Sequence, residues 1–150
     1  MNAQNKKGFT IIEVVLVLAI AGLIFLMIFI AWPALQRSQR DTGRKNDANV
    51  VASAIGNYRS DHRGTNPTTA ALLGSYVTNL GQYQKSGPNW PILFVAAPPT
   101  TQNLDNIYVV TGKKCDDTTG QLTSTGATAR SIAVTYFTEA AGNSIVCQDA

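Results

Sequence analysis

Few residues of this chain are of the types that carry out chemistry, and their spacing fits no standard site. His62 is the only histidine, and the two cysteines, Cys115 and Cys147, do not form a CxxC pair. A structural zinc site needs about four ligands and a catalytic one usually takes three from the protein, so the sequence does not predict a zinc site. We interpret His62 as a surface residue near the C-terminus of a predicted helix.

Three carboxylates in the second half of the chain could offer oxygen ligands to calcium. Asp105, Asp116 and Asp117 lie in polar stretches, but their spacing matches no defined calcium loop, and we interpret them as solvated turn residues. The chain contains no nucleophile elbow, phosphate loop or metalloprotease motif. We therefore expect neither an enzyme nor a bound metal or cofactor.

One acidic residue, Glu13, stands inside an apolar segment. Val14–Trp32 is a run of 19 residues without a charge. At about 1.5 Å per residue, a helix of that length spans roughly 28 Å, close to the hydrocarbon thickness of a bilayer. Lys6 and Lys7 precede the run, which predicts a cytoplasmic N-terminus by the positive-inside rule. Four basic residues after the run weaken that prediction: Arg37, Arg40, Arg44 and Lys45.

Glu13 needs an explanation, because an ionisable residue in a membrane costs about 3 kcal/mol and is usually functional. If the chain is cut after Gly8, the new amine of Phe9 supplies a cation, and residues 9 and 13 share one helix face. The helix dipole also favours an anion near the helix N-terminus. The alternative is that Glu13 lies at the membrane surface and is solvated.

The segment KKGFTIIE at residues 6–13 resembles the prepilin cleavage motif of type IV pilins and related proteins. The resemblance implies that a prepilin peptidase in the membrane cuts between Gly8 and Phe9 and methylates the amine of Phe9. It also implies that Glu13 pairs with Phe9 of a neighbouring copy when the chains polymerise into a helical filament. The partners implied are further copies of the chain, the peptidase and the pilus assembly machinery. The precursor would lie in the cytoplasmic membrane and the filament outside the cell.

Two residues in or after the apolar run disfavour a regular helix. Gly22 costs about 1 kcal/mol relative to alanine, and Pro33 cannot donate to the carbonyl of Phe29. The resemblance implies a loss of helicity between such residues in filaments, with Gly22 and Pro33 as the helix breaks. The alternative is a simple kink at the membrane exit.

The sequence predicts an α+β protein with a long N-terminal helix packed on a small antiparallel sheet, as in the type IV pilin-like fold. Apolar residues at helical spacing predict that the helix continues to about Asp61, with Gly64 as its C-terminal stop: Ala48, Val51, Ala52, Ile55 and Tyr58. A short helix is expected at 70–77 and a loop at 81–91, in which Trp90 is interpreted as a packing residue. Runs rich in valine, isoleucine and aromatic residues predict strands at 92–96, 107–111, 131–138 and 144–147, the last two forming a hairpin.

The expected organisation has four segments. Residues 1–8 form a cleaved leader, 9–33 a transmembrane and polymerisation helix, and 34–61 an amphipathic helix that continues into the head. Residues 62–150 form the globular head. If the head lies outside the cytoplasm, Cys115 and Cys147 are expected to form a disulfide, and the alternative is two buried thiols in a reducing compartment. Such a bridge would close a loop of 33 residues and contribute roughly 3–4 kcal/mol.

The formal charge of +3 invites a nucleic-acid interpretation. Lys6 and Lys7 contribute two of these charges and are lost with the leader, so the mature chain would be almost neutral. DNA contact through two lysines and three tyrosines is therefore only a minor alternative: Lys113, Lys114, Tyr58, Tyr76 and Tyr83.

Three other functions stay open at this point. The chain could be a pseudopilin of type II secretion, or a minor or competence pilin that primes assembly or takes up DNA. More remotely, it could be a monomeric signal-anchored surface binding protein, which would keep residues 1–8 and would not need Glu13. The sequence also leaves open whether a filament would serve adhesion, twitching motility, DNA uptake or secretion.

Overall fold

The computed structural model describes residues 8–83, 91–140, 142 and 144–150. Its elements are one long α-helix, one short 3₁₀ helix and six β-strands. Residues 1–7 of the predicted leader, residues 84–90 of the predicted loop, which include Trp90, and two residues of the predicted hairpin turn (141 and 143) lie outside the described residues. The chain divides into two compact units, the first ending at Gln36 and the second comprising Arg37–Ala150.

Helix α1 (Ile11–Asp61) passes through both units. Just after the helix, Arg63 adopts the left-handed conformation (φ 54°), and the N–H of Gly64 donates to the carbonyl of Arg59 at 2.7 Å. This is the 6→1 bond of a Schellman cap, which satisfies a carbonyl that the helix leaves without a partner. The prediction that the helix ends near Asp61 is therefore confirmed.

The second unit contains a four-stranded sheet in the order β1-β2-β5-β6 and a two-stranded ribbon formed by β3 and β4. The strands are β1 (Ile92–Val95), β2 (Ile107–Thr111), β3 (Lys114–Cys115), β4 (Leu122–Thr123), β5 (Ile132–Phe137) and β6 (Ile145–Asp149). The antiparallel pairing of β5 with β6 confirms the predicted hairpin.

Two details differ from the prediction. Strand β1 pairs with β2 in parallel, Ile92 opposite Ile107, so the sheet is mixed rather than wholly antiparallel. The intervening segment, with its two consecutive prolines at 98 and 99, returns as a crossover, which parallel pairing requires. The short helix expected at 70–77 is a 3₁₀ helix over Ala70–Leu73 with no side-chain cap, because a single turn has too few hydrogen bonds to sustain an α-helix.

The core of the second unit lies between α1 and one face of the sheet. The helix stripe predicted at 48–58 is buried, and it packs against alternate residues of the central strands, as strand periodicity requires: Ile107, Val109, Ile132, Val134 and Tyr136. The opposite face of the sheet is also covered, with Tyr108 and Phe137 in an edge-to-face pair at 6.2 Å. The α+β fold predicted from the sequence is thus present.

Candidate functional site

Helix α1 begins with three reciprocal hydrogen bonds between Thr10 and Glu13. The N–H and the hydroxyl of Thr10 donate to Glu13 Oε2 at 3.0 and 2.8 Å, and the N–H of Glu13 donates to Thr10 Oγ1 at 3.4 Å. This arrangement is a capping box, in which the N-cap residue and the residue three positions later satisfy each other's backbone groups. The role of Thr10 was not predicted from the sequence, although the pattern Thr-x-x-Glu before an apolar run indicates it.

The capping box holds the Glu13 carboxylate in place by bonds to one of its two oxygens. Oε1 accepts no hydrogen bond from the described residues, so it can receive a second donor without disturbing Thr10. The predicted cleavage bond lies just outside the helix, and both Gly8 and Phe9 are exposed. The predicted pair between Glu13 and Phe9 joins two copies, so for this single chain it stays a prediction.

The first unit exposes almost every large apolar side chain that it contains. From Phe9 to Leu35 these side chains are about half to nine-tenths exposed. Monomeric soluble proteins rarely expose continuous apolar patches of more than a few hundred Å². By length and composition, α1 contains a segment able to cross a membrane, and none of that segment is buried within the chain. An exposed surface of this kind is typical of a segment that lipid or other protein covers.

Gly22 and Pro33 both lie within the continuous helix α1. The helix continues through both residues in the single chain. A glycine destabilises a helix by only about 1 kcal/mol relative to alanine, and the backbone hydrogen bonds on either side of a proline can keep the helix continuous, with a kink. The predicted loss of helicity concerns the filament and stays a prediction.

A cluster of four charged side chains holds the β5–β6 turn against α1 in the second unit. The Glu139 carboxylate accepts bonds from Arg40 Nε (3.0 Å) and Nη2 (2.5 Å) and from Arg44 Nη2 (2.7 Å). Asp41 accepts the N–H groups of Glu139 and Ala140 at 2.9 and 2.8 Å and pairs with Arg44. We call these four residues, Arg40, Asp41, Arg44 and Glu139, the turn clamp.

The turn clamp is electrostatically balanced, with two positive and two negative charges. Hydrogen bonds from Arg40, followed by those from Arg44, lower the pKa of Glu139 to about 2. The carboxylate in turn raises the pKa of Arg40 above its ordinary value. The charges of Arg40 and Arg44, two of the basic residues that follow the apolar run, are therefore compensated by the carboxylates that pair with them.

Asp47 makes a second attachment between α1 and a loop. Its carboxylate accepts the N–H groups of Gly81, Gln82 and Tyr83 at 2.8, 2.6 and 2.8 Å, and it is only 4% exposed. A carboxylate that accepts three backbone N–H groups can be buried because these bonds replace its hydration. Burial raises the pKa of the neighbouring Tyr83 hydroxyl well above its usual range.

Cys115 and Cys147 form a disulfide with a Cα–Cα distance of 5.6 Å. The bridge attaches β3 to the edge strand β6, and the N–H of Cys115 also donates to Asp149 Oδ1 at 2.6 Å. The β3–β4 ribbon therefore covers one edge of the sheet, a position at which an unpaired strand invites aggregation.

The remaining candidate residues have structural partners. Tyr58 and Tyr83 are buried, so they cannot stack on bases, and this part of the DNA interpretation was wrong. Tyr76 donates to Asp61 at 2.8 Å. Exposed His62 stacks on Tyr58 with ring centroids 4.0 Å apart, as expected for a residue at the helix end.

The polar residues near the disulfide take part in turns. Lys113 donates to the hydroxyl of Ser124. The Asp116 carboxylate accepts the N–H groups of Thr118 and Thr119 at 2.9 and 2.7 Å, and these bonds lower its pKa. Asp116 is therefore a turn residue, as the sequence suggested.

Comparison with known families identifies the N-terminal region. Residues 3–29 match the prokaryotic N-terminal methylation motif. No curated protein and no solved structure matches the chain significantly. The match supports a class III signal peptide of the type IV prepilin kind, and with it a pilin-like or pseudopilin protein of a structural, usually non-enzymatic, type. Such a signal implies processing by a prepilin peptidase and, with the apolar helix, anchoring in a membrane.

Proposed function

We propose, on the premise of this prepilin-like signal peptide, that the chain is the structural subunit of a type IV pilus-like filament. The chain enters the cytoplasmic membrane as a precursor and is cut between Gly8 and Phe9. The Phe9 amine is then methylated, and the subunits polymerise outside the membrane through residues 9–33, which include the first part of helix α1. Its partners are copies of itself, the prepilin peptidase and the assembly machinery.

The observation that carries this proposal is the combination of a held carboxylate with an uncovered apolar helix. The capping box keeps Glu13 at the surface of α1 with Oε1 open, in a segment of a kind that lipid or protein covers. The amine of Phe9 on a neighbouring copy can donate to Oε1 and neutralise the charge. A buried pair need not add stability by itself, but an unpaired Glu13 costs free energy, so pairing favours one register between copies.

The head supports the same proposal. The disulfide, the turn clamp and the Asp47 attachment all stabilise the fold of residues 37–150. A subunit exposed outside the cell requires such stability. The disulfide is typical of an oxidising compartment, which agrees with a head on the outer side of the membrane.

Mass spectrometry of the mature N-terminus, together with electron microscopy of fibres sheared from cells, tests the proposal. We expect fibres whose subunits begin at methylated Phe9. An intact leader would instead support a monomeric anchored protein. A processed chain that is scarce in fibres would support a minor pilin or a secretion pseudopilin.

Variants of Glu13 test the role of the carboxylate. Glu13→Gln keeps the side-chain shape and an acceptor for Thr10 but removes the charge, so membrane insertion should be unchanged and the fibre yield should fall about tenfold, equivalent to roughly 1.4 kcal/mol. Asp117→Asn, the same chemical change on an exposed head residue, is the matched control and should leave the yield unchanged. A normal fibre yield with Glu13→Gln would refute the pairing.

A further inference from the structure

We propose that a groove in the head binds an uncharged sugar unit of a carbohydrate. The groove lies between strand β1 and the crossover that joins β1 to β2, and it has a volume of about 410 Å³, which is within the usual range of small-molecule sites. The residues that line it all belong to the second unit, so the inference does not depend on the apolar helix. It goes beyond the proposed filament by assigning the subunit a ligand.

The floor of the groove is apolar and belongs to the sheet. Leu93 lies opposite Tyr108 in the register of β1 and β2, and Val95 lies two residues further along β1. These three side chains share the face of the sheet that points away from α1, because Ile107 and Val109 occupy the face that packs on the helix. Leu93 is 40% exposed. The floor therefore offers an apolar surface to the C–H groups on one face of a sugar ring.

The crossover supplies three amide side chains to the groove: Gln102, Asn103 and Asn106. Two of them hold the crossover in place with one end of the amide. Gln102 Nε2 donates to the carbonyl of Thr138 at 3.2 Å, and Asn103 Oδ1 accepts the N–H of Asp105 at 2.9 Å. The opposite ends of these two amides, and both ends of the Asn106 amide, form no hydrogen bond with another described residue. Amide groups donate and accept hydrogen bonds as hydroxyls do, so these groups suit a ligand with several hydroxyls.

Tyr108 adds a buried polar group to the apolar floor. It is only 4% exposed, and its hydroxyl forms no hydrogen bond with another described residue. A buried hydroxyl without a partner costs free energy, which a ligand hydroxyl that reaches it would recover.

The charge of the groove narrows the class of ligand. None of the described residues that line it is charged. A carboxylate, phosphate or ammonium group on the ligand would therefore lose hydration without gaining an ionic partner. An uncharged molecule with several hydroxyls and one apolar face fits the groove better, and a neutral sugar has this chemistry.

A neutral peptide is the alternative occupant, because it also combines amides with apolar groups. Peptides that bind to a sheet usually lie along an edge strand and pair with its backbone groups. This groove lies on a face of the sheet, and the polar groups described above are side chains. The geometry therefore favours a sugar over a peptide.

Saturation-transfer NMR of the full-length chain tests the proposal. The detergent should have polyoxyethylene headgroups, because a sugar-based detergent would compete for the groove. The probes are the methyl glycosides of glucose, galactose, mannose and N-acetylglucosamine, with N-acetylneuraminic acid as a charged sugar and a blocked neutral tripeptide for comparison. We expect at least one neutral glycoside to bind with a Kd on the order of 1–10 mM, and the two comparison compounds to bind about tenfold more weakly or not at all. No binding of any neutral glycoside at about 50 mM, roughly five times the upper value, would overturn the proposal.

Two variants place the binding in the groove. Asn106→Ala removes an amide that bonds to no other described residue, so the chain should fold and the Kd should rise about tenfold. Ala97→Leu puts a branched apolar side chain at an exposed position that lines the groove, and it should abolish binding by filling the space. Asn57→Ala makes the same change as Asn106→Ala at an exposed position on α1, and this matched control should leave the Kd unchanged. Thermal unfolding shows whether each variant is folded.

The outcomes separate this inference from the proposed function. Binding of a neutral glycoside that both groove variants weaken and Asn57→Ala does not would support the groove as the site. Binding that survives both groove variants, or that favours the acidic sugar or the tripeptide, would overturn it. None of these measurements needs a fibre, so a failure here leaves the proposed filament intact, and a chain that forms no fibres is still expected to bind the sugar.

Discussion

The turn clamp makes a quantitative prediction for the substitution Glu139→Gln. The carboxylate accepts bonds from two arginines, and the Arg44 side chain is only 6% exposed. Glutamine retains one acceptor but turns an amide N–H₂ toward the guanidinium groups. Charged hydrogen bonds contribute about 1.5–3 kcal/mol each, but the Arg40 side chain is 40% exposed, which screens its share. We expect the free energy of unfolding to fall by about 2 kcal/mol.

The effect of Glu139→Gln should depend on pH in a defined direction. The arginines lower the pKa of Glu139 from its ordinary value of 4.5 to about 2 in the folded chain. The folded state therefore gains stability from the ionised carboxylate above pH 4.5, and this gain is lost as the pH falls from 4.5 to 2. The difference in the free energy of unfolding between the original chain and the variant should have its full value at pH 7 and should be nearly absent at pH 2.

Thermal unfolding of the full-length chain in a non-ionic detergent measures this difference. A loss of about 2 kcal/mol corresponds to a decrease of about 10 °C in Tm for a unit of this size. Because Arg44 is buried, 0.5 M salt should reduce this difference in Tm only partly. Asp117→Asn is the control, since Asp117 is exposed and its neutralisation should leave Tm unchanged. Equal Tm values for Glu139→Gln and the original chain at pH 7 would refute the assigned role of the clamp.

Two further predictions concern the head. Asp47→Asn replaces a buried acceptor of three backbone N–H groups with a side chain that has one acceptor oxygen, and it should lower the free energy of unfolding by about 2–3 kcal/mol. An unchanged urea midpoint would contradict this role. Cys115→Ser removes the bridge to Cys147 and should cost about 3–4 kcal/mol, and treating the original chain with reductant should have the same effect on Tm. A Tm that responds to neither change would show that the bridge does not stabilise the head.

The N-terminal region was largely predictable from sequence because its features are local. The 19-residue apolar run, the Glu13 that directly precedes it and the leader pattern all lie within about 30 consecutive residues. The motif match at 3–29 covers the same stretch. The capping box was equally predictable from the sequence, since Thr10 and Glu13 are only three residues apart.

Contacts between distant residues were not predictable in the same way. Glu139 and Arg40 are 99 positions apart, and Asp47 binds a loop more than 30 positions later. A polar residue in a helix has the same local pattern whether it faces solvent or a loop, so no periodicity identifies its partner. The parallel pairing of β1 is a similar case, because a strand of four apolar residues fits either direction.

By itself, the sequence determined where the helix lies, where the four strands of the larger sheet lie and which segment is apolar enough for a membrane, and it predicts the bond that a prepilin peptidase would cut. Each of these depends on neighbouring residues through hydrogen-bond geometry, side-chain periodicity or transfer from water. Only the tertiary structure decided which carboxylates bind which loops, how β1 joins the sheet, and that Arg40 and Arg44 are paired with carboxylates rather than free. Those outcomes require chain segments far apart in sequence to meet, and only the packing of the helix on the sheet brings them together.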